Sequence, residues 1–183
     1  KTPTFKKAIV RKPGKSYVAG LTTSSLGVPD YERALEQHAQ YVEALKSCGV
    51  EVTILEADER FPDSTFVEDP AIVTEKCAVI TNPGAESRNK ETLEMKEVLK
   101  TFFEKVEEIK DGTLDGGDVM RAEDHFYIGL SKRTNEAGAL SLKNILEKYG
   151  YTASFVPLEH TLHLKTGIAY LGGQTVVVTG EFR

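Results

Sequence analysis

Cysteine is scarce in this sequence: Cys48 and Cys77 are the only two among 183 residues. Two thiols make no disulfide framework in a chain this long, which excludes a disulfide-stapled scaffold and favours a reducing compartment. Long apolar runs are missing as well. Nothing approaches the roughly 20 residues that span a bilayer as a helix. Lys1 to Lys7 lacks the apolar core of a signal peptide, and the absent initiator methionine points to a trimmed start. Lysine and arginine form no stripe, and the formal net charge is -5, from 28 acidic and 23 basic residues. That argues against nucleic acid or an anionic membrane as the main partner. The expectation is a cytoplasmic protein. No residue spacing suggests a zinc site, and no glycine-rich loop sits between strand and helix to cradle phosphates.

With 40% hydrophobic and 28% charged residues, the chain has an ordinary globular mix, enough to bury one good core. It opens with a strand at Lys7 to Arg11 and a Gly/Ser/Thr-rich loop, Gly20 to Gly27. Asp30 offers an N-cap to a helix carrying Ala34, His38, Tyr41, Val42 and Leu45, stopped by Gly49, before a strand from Val50 to Leu55. A pattern then repeats. Phe66 to Val73 and Cys77 to Thr81 read as strands, followed by a loop ending at Arg88, a helix through Met95 and Leu99, and a strand at Val106 to Ile109. Val119 to Arg121 and Phe126 to Gly129 repeat it, with a loop ending at Arg133, a helix through Leu142 and Leu146, and a strand at Ser154 to Val156. Ile168 to Leu171 and Thr175 to Val178 begin it a third time. The second strands, starting at Ala78, Phe126 and Val176, lie 48 and 50 residues apart. A constant period of that size marks a repeat architecture, and a ββαβ unit suggests a propeller-like ring. The alternative is a two-layer α+β domain with accidentally regular spacing. No linker divides the chain, so residues 1–183 read as a single domain.

Four constellations can carry chemistry. Asp63 and the pair Glu68-Asp69, in PDSTFVEDP, put charge where a strand wants apolar residues; alone they read as a solvated edge or turn. Asp115-Gly116-Gly117-Asp118, in TLDGGDV, alone reads as a glycine bulge flanked by turn-forming acids. Arg88 and Arg133 end matching loops in successive repeats, and two guanidinium forks that converge suit a carboxylate. His163, in LHLKTG, opens the third repeat where acids open the other two. Together they suggest a pocket with carboxylates at one end, arginines at the other and an imidazole nearby. A free amino acid with a cationic side chain fits that polarity.

FVEDPAIV (Phe66 to Val73), TLDGGDV (Thr113 to Val119), GLSKRTNEAGA (Gly129 to Ala139) and LHLKTG (Leu162 to Gly167) resemble the dimethylarginine dimethylaminohydrolase family, in order along essentially the whole chain. VRKP near the start and EQHAQYVEAL on the first helix extend the match. The resemblance implies a five-bladed α/β propeller of ββαβ modules, with the active site on its axis. It implies hydrolysis of Nω-methylated arginine to citrulline and a methylamine through a covalent cysteine intermediate, with no metal or organic cofactor. His163 matches the catalytic histidine, and Asp69 and Asp115 match acids beside the guanidinium and the histidine. Asp63 and Glu68 match other pocket acids, Arg88 and Arg133 the residues holding the substrate carboxylate, and Leu21 a lid residue. Arginine deiminases and amidinotransferases share the scaffold and are the rival enzymes. A non-catalytic propeller is the rival from another class, but it needs no acid–arginine–histidine set.

The family's nucleophile is a cysteine in its final module, and neither thiol here matches it. Cys48 ends a helix, where the dipole opposes a thiolate, and Cys77 starts a strand, a packing position. The third repeat stops after Val176 to Thr179. Five modules would take roughly 240 residues, so on the order of 60 to 80 are expected to be missing. The expectation is an incomplete propeller, lacking its C-terminal module and part of the preceding one, inactive alone. The missing piece is expected as a second chain if it stays bound. The sequence leaves the oligomeric state open.

Overall fold

A computed structural model of the chain describes residues 4–183. It contains two compact units, Thr4–Val67 and Glu68–Arg183.

In the first unit β1 (Lys7–Arg11) pairs in parallel with β2 (Glu51–Leu55), and α1 (Tyr31–Ser47) makes the crossover that a parallel pair requires. Asp30 starts the helix as its sequence position suggests, accepting a 2.8 Å hydrogen bond from the Arg33 amide. Gly49, at φ +79°, turns the chain out of the helix in a conformation few other residues adopt.

The second unit is built from the repeat. β3 (Ala71–Val73) and β4 (Ala78–Ile80) are antiparallel, α2 (Glu91–Lys100) follows, and β5 (Val106–Glu108) returns parallel to β4. β6 (Val119–Ala122), β7 (His125–Leu130), α3 (Glu136–Lys148) and β8 (Thr152–Pro157) repeat that order and those directions. After the single-turn α4 (Leu164–Gly167), β9 (Ile168–Gly172) and β10 (Thr175–Val178) form another antiparallel pair. The fold is α/β, with four separate sheets among the described residues. The two complete modules share a core in which Cys77 and Val79 of the first pack with Phe126, Ile128, Leu142 and Leu146 of the second. Each large apolar side chain buried there contributes about 1.5–3 kcal/mol. No described helix is long and apolar enough to cross a membrane.

One expected strand is mostly something else. Of Phe66 to Val73 only Ala71–Val73 is extended, and residues 61 to 70 run as successive turns. Phe66 donates its amide to the Asp63 carbonyl at 3.0 Å, and Ser64 donates to that of Phe61 at 3.1 Å. Pro70 has no amide to give a ladder. Glu68 and Asp69 therefore lie on the approach to β3 rather than within it.

Candidate active site

The centre lies in the Glu68–Arg183 unit, where the segments leading into β3, β6 and α4 come together. Backbone bonds fix their approach. Gly116 donates to the Asp69 carbonyl at 3.0 Å, Leu114 donates to that of Asn82 at 2.7 Å, and the Thr81 hydroxyl bonds the Asp69 carbonyl at 2.6 Å. The glycine pair of TLDGGDV forms a 3-10 turn instead of a bulge. Its glycines are needed for clearance. A Cβ on Gly116 would overlap the Glu68 carbonyl, and one on Gly117 would come within 2.8 Å of both the Asp69 carboxylate and the His163 ring.

Three carboxylates surround that ring. His163 Nε2 is 3.7 Å from Asp115 Oδ2 and 3.9 Å from Asp69 Oδ1, while Nδ1 is 3.4 Å from Asp118 Oδ1. Asp115 and Asp118 are wholly buried and Asp69 nearly so. Each acid has its own donors. The Gly117 amide reaches Asp69 Oδ1 at 2.8 Å and the Gly84 amide reaches Asp115 Oδ1 at 2.9 Å. Asp118 Oδ2 takes the hydroxyls of Ser131 and Thr134, both at 2.6 Å, and its Oδ1 takes the Leu164 amide at 3.1 Å.

The electrostatics follow from burial and from these neighbours. Burial opposes charge on His163, but Asp118, Asp69 and Asp115 outweigh it, and the pKa is raised above its ordinary value. Burial raises Asp115, with the Gly84 amide pulling the other way and the Asp69 charge adding to the rise. Such a centre favours an imidazolium, a proton source beside two acids. Ligand atoms of Asp69, Asp115 and His163 lie within 4.8 Å of one another, a spacing that would admit a cation. The carboxylates already accept bonds from amides and guanidinium groups, and we assign the set no metal.

Each arginine is paired with one of these acids. Arg88 Nη1 contacts Asp69 Oδ2 at 2.5 Å, and its Nε and Nη2 grip Glu91 at 3.0 and 2.8 Å, with all three side chains buried. Arg133 Nη1 lies 3.3 Å from Asp115 Oδ2, and its side chain is 19% exposed. The expected separation, acids at one end and arginines at the other, is thus replaced by two cross-pairs. A buried carboxylate is costly to leave unpaired, and each guanidinium offsets that cost.

Glu68 is outside the buried cluster; it is half exposed and bonded to Lys165 Nζ at 2.8 Å. Leu21 and Asp63 belong to the Thr4–Val67 unit, where the Leu21 amide donates to the Asp63 carboxylate at 3.1 and 3.2 Å. The Leu21 side chain is half exposed and Asp63 is buried. Glu91, Ser131 and Thr134 did not stand out in sequence as site residues. Asp118 stood out only as the closing acid of Asp115-Gly116-Gly117-Asp118, with no role of its own.

A family profile described as "N,N dimethylarginine dimethylhydrolase, eukaryotic" matches residues 29–182. The N(G),N(G)-dimethylarginine dimethylaminohydrolase of Pseudomonas aeruginosa is 54% identical over 180 residues, which is 97% of this chain and 71% of that protein. The chain belongs to the dimethylarginine dimethylaminohydrolase family.

A crystal structure of the Pseudomonas aeruginosa family member, as a cysteine-to-serine mutant with citrulline, superposes at a TM-score of 0.96 over 97% of this chain and 71% of its own. A dimethylarginine dimethylaminohydrolase crystal structure, a histidine-to-glycine mutant as an adduct with S-methyl-L-thiocitrulline, is 53% identical and gives 0.96 over 98% of this chain and 71% of that one. A cyanobacterial arginine dihydrolase domain bound to substrate, at 18% identity, gives 0.80 over 92% of this chain and 64% of its own, a likeness of fold.

Proposed function

We propose that the protein hydrolyses Nω-methylated arginine to citrulline and a methylamine, and that the centre around His163 does the work. The observation that carries this is a single imidazole enclosed by three buried carboxylates, two of them on the Nε2 side. A guanidinium carbon is a poor electrophile, and losing the proton would make it poorer. Asp69 and Asp115 keep it cationic and oriented. A cysteine thiolate attacks that carbon, and His163 gives its Nε2 proton to the departing methylamine nitrogen as the C–N bond breaks. Water then gives a proton back to His163 and adds to the same carbon, and the C–S bond breaks to release citrulline and the thiolate. Arg88 and Arg133 hold the α-carboxylate, with Arg133 moving off Asp115 to do so. Glu68 is a further acid of the pocket.

The nucleophile in this reading lies outside residues 1–183, on a further segment or a second chain. Cys77 has no exposed surface, and burial pushes its thiol up, against ionisation. Cys48 is an exposed C-cap residue of α1 in the Thr4–Val67 unit. The ββαβ modules are then parts of one five-bladed ring, a single domain with its site on the axis. The scarcity of cysteine supports a cytoplasmic setting.

Product analysis tests the proposal. Joined to a cysteine-bearing segment, the protein should release citrulline and dimethylamine from Nω,Nω-dimethylarginine far faster than ammonia from arginine, and residues 1–183 alone should release neither. Because the pKa of His163 is raised, the proton donor stays charged above its ordinary 6.5. The rate should fall only as pH climbs through that higher value. Comparable turnover of arginine would make the enzyme a deiminase. Turnover by residues 1–183 alone, with Cys48 or Cys77 labelled by a guanidine-mimicking inactivator, would refute the outside nucleophile.

A further inference from the structure

We infer that Asp118 is the positioning residue for His163: its Oδ1 takes the Nδ1–H of the imidazole, fixing the ring and leaving Nε2 as the atom that gives and takes the proton. This rests on His163 being the proton donor. Asp69 and Asp115, the acids that sequence associates with the histidine, both lie on the Nε2 side, at 3.9 and 3.7 Å. They share that side with the reacting centre, so neither can hold the ring from behind. Asp118 can. It lies 3.4 Å from Nδ1, and Nδ1 is a wholly buried atom with no aligned hydrogen bond of its own. A small rotation of the ring would complete one. An imidazole that shuttles protons through one nitrogen needs the other held by an acceptor, or both tautomers compete.

The carboxylate is itself locked. Ser131 and Thr134 saturate its Oδ2 at 2.6 Å each, and the Leu164 amide holds Oδ1 at 3.1 Å. Leu164 directly follows His163, so the oxygen that faces the ring also pins the backbone beside it. Every other contact to Asp118 is a donor, which suits an acceptor-only carboxylate and leaves Nδ1 to supply a further N–H. Gly117 completes the arrangement, since the ring lies against its Cα with no room for a side chain.

One competing arrangement exists. His163 occupies the N-cap of α4, from which Nδ1 could accept the Thr166 amide, but that amide is already bonded to the His163 carbonyl at 3.1 Å. The two differ in where the neutral ring keeps its proton. Nitrogen-15 NMR of histidine-labelled protein distinguishes them. Asp118 as positioning residue predicts an Nδ1–H resonance protected from exchange, and a neutral ring whose bare nitrogen is Nε2. In the protein joined to a cysteine-bearing segment, Asp118→Asn should lose that protection and lower kcat on the order of 100-fold or more, while KM for Nω,Nω-dimethylarginine changes only a few-fold. A neutral ring protonated on Nε2, an unprotected Nδ1–H, or an Asp118→Asn enzyme with unchanged kcat would overturn the assignment. If Asp118→Asn does not fold, the Nδ1–H signal of the unmodified protein decides. A protected Nδ1–H in a protein that turns over no methylated arginine would instead count against the proposed reaction and leave the ring geometry standing.

Discussion

Arg133 and Arg88 differ in how free they are. Arg88 is buried and committed on three nitrogens, whereas Arg133 is partly exposed and makes one long contact to Asp115. Arg133 is therefore the more readily freed of the two to turn towards a substrate carboxylate. Losing a charge-assisted hydrogen bond costs about 1.5–3 kcal/mol. Arg133→Ala should raise KM for Nω,Nω-dimethylarginine about tenfold or more, in line with that range, and raise it far less for the decarboxylated analogue. Steady-state kinetics on both substrates checks this, and equal losses would remove the carboxylate role. The motifs made His163, Asp115, Asp69 and both arginines legible in the sequence. What remained hidden was pairing. Arg88 meets Asp69 across 19 residues and Leu164 meets Asp118 across 46, distances that only the fold closes. Glu91 is one of two acids in the first turn of α2, and nothing local marks it as the partner of a buried guanidinium.

Among the elements, the repeat was the clearest signal, because apolar strands and helix faces recur at a nearly fixed interval and both complete modules fold as ββαβ units. The strand at Lys7–Arg11 and the N-cap at Asp30 occur where the residues suggest. The stretch before β3 was misjudged because Phe66 and Val67 look like strand residues, while Asp63 and Pro70 impose turn chemistry around them. The 3-10 turn at Gly116–Asp118 matters most to the site, since it holds Asp115 and Asp118 on either side of two residues that permit close approach. Gly117→Ala should cost about 1–3 kcal/mol, as overpacking does in a filled interior, and should depress activity by displacing Asp69 or the imidazole. Denaturant unfolding and kcat measured side by side would check both. A variant with wild-type stability and turnover would mean the loop has slack that the 2.8 Å clearances do not suggest.

For the molecule as a whole, family membership joins the local chemistry to a function. A centre of buried acids around one imidazole is open to several reactions. Family membership, with a 54% identical relative named a dimethylarginine dimethylaminohydrolase, narrows them to one class. The account stands on this centre receiving a guanidinium amino acid. Titration calorimetry of the protein with Nω,Nω-dimethylarginine, citrulline and an amino acid of equal length with neither guanidine nor urea, on wild type and Asp69→Asn, measures that directly. Saturable binding of the first two, none of the third, and a loss of about tenfold or more in dimethylarginine affinity in Asp69→Asn are expected. Dimethylarginine affinity unchanged in Asp69→Asn, or equal binding of the compound with neither guanidine nor urea, would contradict the proposed reaction.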